Sequence, residues 1–150
     1  MTAPTLPAEG GCRCGAIRVR ITALPLLTAA CHCTGCQHMT ASAFSITVTV
    51  PTPGFELVTG EPVIGGLHGE QIRHFHCDHC KSWVFTRVEP DMGFVNVRAT
   101  MLDDVDWFEP FVEFWTSEKL PWATLPVVHS YAGQPAFEEF GPLVQEYMGR

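Results

Sequence analysis

Apolar and polar residues alternate along several short stretches of the chain, which predicts β-strands. Residues 16–21 alternate apolar with basic side chains, and residues 44–50 alternate without interruption. A period of two is typical of a half-buried strand. Further strands are predicted at residues 55–58, 71–76, 83–88, 94–99 and 111–115, whereas helix is predicted only for about one turn at 37–41 and near the end at 143–148. The predicted fold class is therefore mainly β.

The seven cysteines fall into closely spaced groups. The outer group combines a C-x-C with a distant C-x-x-C and consists of Cys12, Cys14, Cys77 and Cys80. The central group is a C-x-C-x-x-C run and consists of Cys31, Cys33 and Cys36. A structural zinc normally has four protein ligands, whereas a catalytic zinc has three and keeps one position open. The spacing predicts two zinc ions per chain, a closed outer one and a central one whose exchangeable fourth ligand makes the metal easier to lose.

Other interpretations of the cysteines remain open at this point. The outer four would otherwise be buried free thiols, since free cysteine is among the most buried residue types. The central three would otherwise be a redox C-x-x-C, a regulatory thiol cluster or a zinc site completed by a histidine. His32 and His38 flank the central group, and we expect both to lie at the surface.

Charge and cysteine usage narrow the classes of partner and compartment. The net charge is −7, with nine basic against 16 acidic residues, which argues against a nucleic-acid or membrane-surface partner. The first residues lack the basic start and apolar run of a secretory signal, and no stretch approaches the ~20 apolar residues of a membrane span. We therefore expect a cytoplasmic protein, in which reducing conditions favour metal binding over disulfides.

Five segments of the chain, taken in order, resemble one known family. They are Gly11 to Arg18, Cys31 to Cys36, Ser42-Ala43-Phe44, Cys77 to Cys80 and Leu102-Asp103-Asp104. Their order and spacing are similar, from about residue 11 to residue 125, to those of the glutathione-dependent formaldehyde-activating enzymes, a family that also includes centromere protein V.

The resemblance implies a fold, a metal content and an activity. The fold would be a single zinc-stabilised domain of coiled, mostly antiparallel sheets, also called a β-tent, over residues 11–150 after a flexible leader at 1–10. Cys12, Cys14, Cys77 and Cys80 would bind the structural zinc, and Cys31, Cys33 and Cys36 the catalytic zinc. The activity would be that of a carbon–sulfur lyase, which joins formaldehyde to glutathione or cleaves S-hydroxymethylglutathione.

The chain departs from the family pattern at three places. Gln37-His38 stands where basic residues usually follow the central cysteines, Ala41 replaces a glycine after Thr40, and Lys81 replaces a glycine after the second C-x-x-C. Because glutathione carries two carboxylates, the missing basic residues make glutathione one candidate among small thiols. A non-enzymatic zinc-binding interaction module and a thiol redox sensor remain alternatives to the enzyme.

The remaining histidines are not expected to bind metal, and most of the large aromatic residues are expected in the core. His74, His76 and His79 crowd the second C-x-x-C, but a site with four thiolates does not need them as ligands. Seven aromatic residues form a large set, of which most should be core and one or two should line a ligand pocket. They are Trp83, Phe85, Trp107, Phe108, Phe114, Trp115 and Trp122.

Overall fold

The computed structural model describes residues 3–67 and 69–150. Its strands are β1 (Ala8–Gly11), β2 (Arg18–Ile21), β3 (Leu27–Cys31), β4 (Ser45–Pro51), β5 (Phe55–Thr59), β6 (Val63–Gly65), β7 (Ile72–His76), β8 (Trp83–Val88), β9 (Phe94–Arg98), β10 (Val112–Phe114) and β11 (His129–Ser130). The helices are α1 (Thr34–Thr40) and α2 (Phe137–Met148), and single 3-10 turns lie at Thr52–Gly54, Ala99–Met101 and Thr116–Glu118.

The strands form two sheets, which confirms the mainly β prediction. One sheet has the order β1-β2-β5, and the other has the order β11-β10-β3-β4-β9-β8-β7-β6. Neighbouring strands are antiparallel except β10, which runs parallel to both β3 and β11. Every strand predicted from alternation is present, with ends that differ by a few residues.

The two sheets share one hydrophobic core. Val19 and Ile21 of the smaller sheet belong to the same buried cluster as Val48, Val95 and Val97 of the larger sheet. A second cluster forms where α2 packs near β3 and β10, and it includes Phe111, Leu143 and Tyr147. None of the helices in the described ranges is long and apolar enough to cross a bilayer.

Both helices differ in extent from the sequence predictions. Helix α1 begins at Thr34 rather than at residue 37, because Cys33 caps it by accepting a hydrogen bond from the Cys36 amide. Helix α2 begins at Phe137 rather than at residue 143, although Pro142 lies inside it. The Glu139 carboxylate accepts a hydrogen bond from the Ala136 amide at 2.7 Å, which stabilises the first turn of α2.

The expected leader at 1–10 overlaps strand β1. Glu9 pairs with Arg20 across the two-stranded ladder, and Gly10 forms an isolated bridge to Leu102. Gly10 lies so close to this segment that an added Cβ would sit 2.3 Å from the Met101 carbonyl oxygen. Residues 8–10 are therefore paired with the body of the fold.

Candidate metal centres and pocket

The outer cysteines meet where two hairpin loops approach each other. Cys12 and Cys14 lie between β1 and β2, and Cys77 and Cys80 lie between β7 and β8. Their four sulfur atoms all lie within 4.8 Å of one another. The Cys12–Cys14 and Cys14–Cys77 sulfur separations are 3.6 and 3.7 Å. Ligands at a Zn–S distance of 2.3 Å in a tetrahedron would be separated by about 3.8 Å, so the outer group fits a tetrahedral metal.

Backbone geometry orients these thiols before any metal is considered. The Ile17 amide donates to Cys12 Sγ at 3.2 Å, and the Cys80 amide donates to Cys77 Sγ at 3.5 Å. Burial raises the pKa of Cys12, but the Ile17 hydrogen bond and the neighbouring thiols outweigh burial and lower it overall. Hydrogen bonds with Ser82 lower the pKa of Cys80 to about 5. The thiolate, the form that binds metal, is thus favoured at Cys12 and Cys80. At Cys14 the hydrogen bond from the Ala16 backbone is outweighed by burial and by the thiols of Cys12, Cys77 and Cys80, which raise its pKa to about 11.

The central cysteines converge at the junction of β3 and α1. Cys31 ends the strand, Cys33 caps the helix and Cys36 lies in its first turn, so that their sulfur atoms also lie within 4.8 Å of one another. The Cys36 amide donates to Cys33 Sγ at 3.3 Å, the same arrangement as in the Cys77–Cys80 loop. All three residues are partly exposed. The central group therefore resembles the outer loops in local geometry but supplies one sulfur fewer.

The central sulfurs have unequal acidities. The hydrogen bond from the Cys31 thiol, followed by the influence of the Ser45 hydroxyl and of Cys33, lowers the pKa of Cys36 to about 5. The same sharing with Cys36, together with burial, raises the pKa of Cys31. Cys36 is accordingly the first of the three to become a thiolate.

His32 is buried behind the central cysteines, so the expectation that it lies at the surface is wrong. Its side chain is 0% exposed, and its Nε2 lies 2.8 Å from Glu113 Oε2. Lys119 and Ser130 also donate to the Glu113 carboxylate, at 3.0 and 2.8 Å. The group of potential ligand atoms consists of the three sulfurs and does not include His32, whose Nε2 is engaged by this carboxylate and whose buried Nδ1 has no hydrogen-bond partner among the described residues. His38, in contrast, is exposed as expected.

Gln37 holds α1 in place. Its side-chain amide donates to the carbonyl oxygens of His32 at 2.8 Å and Glu118 at 3.0 Å. The Glu118 carboxylate also accepts a hydrogen bond from the Thr34 amide at 2.8 Å. The residue that follows the third central cysteine therefore has a structural role here.

A pocket of about 430 Å³ lies beside helix α1 and the loop that follows Cys80. Its lining comes from the end of α1, the segment that leads into β4 and the start of β4, from the loop after Cys80 and the first residue of β8, and from the end of β9 and the 3-10 turn after it. The lining residues are Met39, Thr40, Ser42, Phe44, Ser45, Ile46, Lys81, Ser82, Trp83, Arg98, Thr100 and Met101. Ser45 pairs with Cys31 in the β3–β4 register, which places the central cysteines at one edge of this pocket. Trp83 does line the pocket, as the sequence suggested for one of its aromatic residues.

Arg98 is a charged residue of the pocket that the sequence did not single out. Its guanidinium lies 4.1 Å above the centre of the Trp83 ring, and the residue is 8% exposed. In the sequence it only ends an alternating strand, a place where a basic side chain would normally point to solvent. His74 and His76, which precede the second C-x-x-C in the sequence, also pack against the Trp83 ring. His79, inside that motif, is exposed.

The chain belongs to the family of glutathione-dependent formaldehyde-activating enzymes, which matches residues 7–118. A search of curated proteins gives no match. Among solved structures, a protein from Rhodobacter sphaeroides is similar in fold, with a TM-score of 0.53 and 18% sequence identity over 65% of this chain and 90% of that chain. Membership of the family supports glutathione-related carbon–sulfur chemistry with formaldehyde, and the two cysteine groups are able to hold metal ions.

Proposed function

We propose that the protein is a zinc-dependent carbon–sulfur lyase that forms or cleaves the adduct of a small thiol with an aldehyde, such as S-hydroxymethylglutathione. Cys31, Cys33 and Cys36 would hold the catalytic zinc, and the four outer cysteines the structural zinc. The observation that carries the proposal is the position of a three-thiol group at the edge of a 430 Å³ pocket in a member of this family.

The reaction needs no oxidant or reductant. The thiol sulfur forms a bond to the aldehyde carbon, the carbonyl π electrons move to oxygen, and that oxygen takes up a proton in place of the one lost from the thiol. When bound, a zinc ion with three protein ligands supplies a position for an incoming thiolate and lowers the pKa of the thiol. A zinc ion with the thiolates of Cys31, Cys33 and Cys36 would form a site with a net charge of −1, which would suit exchange of thiols better than activation of water.

The chain supplies the surroundings for this chemistry. The β3–α1 junction directs three sulfurs to one point, and the Cys36 amide orients Cys33. Phe44, Ile46 and Trp83 give the pocket apolar walls that exclude water from a bound aldehyde. The Ser45 hydroxyl is buried in the same wall, beside Cys36.

The proposal extends to the setting of the protein. All seven cysteines are free of disulfide bonds, as metal ligation requires, and we propose a reducing, cytoplasmic environment. We also propose that residues 11–150 act as one zinc-binding domain whose partner is a small thiol, with no role for nucleic acid or membrane.

The rate of adduct formation from glutathione and formaldehyde tests the proposal. Exchange NMR on the zinc-loaded protein should show a rate above the uncatalysed background, and Cys33→Ser should return it to that background. His38→Asn is the matched control, because His38 is exposed beside the same group and should leave the rate unchanged. Equal rates for the native protein and Cys33→Ser would refute the lyase.

The same preparation separates the two alternatives. A redox sensor would release zinc from the central group under mild peroxide, and its thiol titration would fall in parallel. A non-enzymatic interaction module would retain zinc and show no rate above background. We expect neither result: zinc and thiol content should survive mild peroxide, and turnover should be measurable.

A further inference from the structure

Arg98 is a buried cation without a carboxylate partner among the described residues. The residue is 8% exposed, its Nε has no hydrogen-bond partner, and no ion pair of the described ranges includes it. Its contact with the Trp83 ring stabilises the charge only in part, since a cation–π contact contributes less than a paired carboxylate. Burial lowers the pKa of Arg98 to about 10, and the group still carries its charge at neutral pH.

The pocket around Arg98 is suited to an anion. Of the described residues, two cations line it, Arg98 and Lys81, and no acidic residue does, although the chain as a whole has a net charge of −7. Lys81 lies at the exposed side and is paired with Asp78 at 2.8 Å. Arg98 is therefore the charge inside the pocket that is available to a ligand.

The strand register relates Arg98 to the central cysteines. Cys31 pairs with Ser45 in the β3–β4 ladder, and Arg98 pairs with Thr47 in the β4–β9 ladder. Only β4 separates the two strands, so their backbones lie about 10 Å apart, and the charge of Arg98 influences both Cys31 and Cys36. Arg98 and the central cysteines therefore lie near enough for one small molecule to contact the cysteines with its thiol and Arg98 with a second group.

We propose that Arg98 binds the carboxylate of the thiol ligand and so selects small acidic thiols over neutral ones. The inference rests on the thiol-binding part of the proposed function. It also supplies the positive charge that Gln37 and His38 do not provide beside the central cysteines. The guanidinium offers parallel N–H donors to a carboxylate, while the thiol of the same molecule faces the cysteine group.

Calorimetric titration with two matched thiols tests the inference. 3-Mercaptopropionate and 3-mercapto-1-propanol have similar size and differ in the carboxylate. The zinc-loaded native protein should bind the acidic thiol about 10- to 100-fold more tightly, the range expected for a hydrogen-bonded charge pair. Arg98→Gln should remove this preference and leave the affinity for the neutral thiol within about twofold.

Two further variants serve as controls for the effect of Arg98→Gln. Arg98→Lys keeps the charge but loses the paired donors, so it should retain an intermediate preference and also show that the position tolerates substitution. Lys81→Gln removes the other cation of the pocket and should change the preference by less than about twofold. Circular dichroism and zinc content establish for each variant that the fold and the metal are retained.

Three results would overturn the inference. The native protein would bind both thiols equally or bind neither, or Arg98→Gln would weaken both thiols to the same extent, as expected if Arg98 only balances the charge of the cysteine thiolates. The proposed function fails separately: an acidic preference without catalysis would remove the lyase and keep the role of Arg98. Catalysis without a preference for the acidic thiol would keep the lyase and remove the role of Arg98.

Discussion

Glu113 links the central cysteines to a distant part of the chain. His32, between two of those cysteines, and Lys119 and Ser130 all hydrogen-bond to its buried carboxylate. Burial alone would raise the pKa of Glu113, but these hydrogen bonds outweigh it and lower the pKa below the ordinary value of 4.5. A buried charge of this kind stabilises the fold only while its partners remain.

We expect Glu113→Gln to lower the free energy of unfolding by about 2–4 kcal/mol at pH 7, since it leaves Lys119 and His32 with a poorer partner. The stabilisation by Glu113 is present above the unfolded pKa, and it is lost as the pH falls through the lower folded pKa. The difference between native protein and variant should therefore narrow below about pH 4.5. Urea denaturation across pH measures it, with exposed Glu138→Gln as the control.

For single residues, the sequence predicted which cysteines belong to each group but not which side chains surround them. Cysteine spacing within six residues is a local signal, so Cys31, Cys33 and Cys36 could be grouped without a structure. Glu113 and His32 are 81 positions apart, and they meet only because β10 pairs with β3. The importance of Arg98 likewise depends on the packing of β9 beside Trp83, for which alternation along a strand gives no signal.

Elements could be predicted where one face is buried and the other is not. Strand β4 alternates because it follows this rule for most of its length, whereas the first four residues of β3 are all buried. Strand β3 lies between β4 and β10 in the middle of the larger sheet, so its sequence shows no period of two. Most of the first half of α2 is exposed, and that half ends at Pro142. The sequence there therefore shows no apolar helical period, and the start of α2 was not predicted.

Two departures from the family pattern coincide with left-handed backbone. Ala41 has φ of 51° at the C-terminus of α1, and Lys81 has φ of 61° directly after the second C-x-x-C. Both stand where the family usually has glycine, the residue that adopts this conformation without a Cβ penalty. The chain therefore tolerates strain at the ends of the loops that carry its cysteines.

We expect Ala41→Gly to raise the free energy of unfolding by roughly 0.5–1 kcal/mol. Relief of the left-handed Cβ contact should exceed the added entropy of glycine in the unfolded chain. Chemical denaturation measures the change. Ala132→Gly is the matched control, because Ala132 is exposed and is not among the positive-φ residues of the described ranges, so this change should destabilise by about 0.4–1 kcal/mol. A loss of stability with Ala41→Gly would contradict the strain argument.

In the whole molecule, the outer cysteines lie where loops from the two sheets meet. Cys12 and Cys14 follow β1 of the smaller sheet, and Cys77 and Cys80 follow β7 of the larger one. Cys14 and Cys77 are 63 positions apart. A metal bound there would hold distant segments together and thus stabilise the relative position of the sheets. The central cysteines, in contrast, all lie at one junction of the larger sheet.

Loss of an outer ligand should therefore affect the whole fold. We expect Cys80→Ser to lower the free energy of unfolding by at least about 3 kcal/mol, or about 6–12 °C in Tm, which is less than the ~10–16 kcal/mol of zinc-finger peptides because this chain has its own core. Differential scanning calorimetry and binding of an apolar dye measure the two effects. A variant as stable as the native protein would contradict a structural role for the outer site.

Loss of a central ligand should abolish thiol binding and lower the stability of the fold only slightly. Cys31 and Cys36 are close in sequence, and Cys33 capping and the Gln37 hydrogen bonds already fix the β3–α1 junction, so little loop closure depends on metal there. We expect Cys36→Ser to lower Tm by less than half as much as Cys80→Ser, while zinc content falls by one ion per chain and thiol binding is lost. Elemental analysis and calorimetry with 3-mercaptopropionate on both variants provide the comparison. If Cys36→Ser melted as early as Cys80→Ser, the central group would be structural, and the division into one structural and one catalytic site would be wrong.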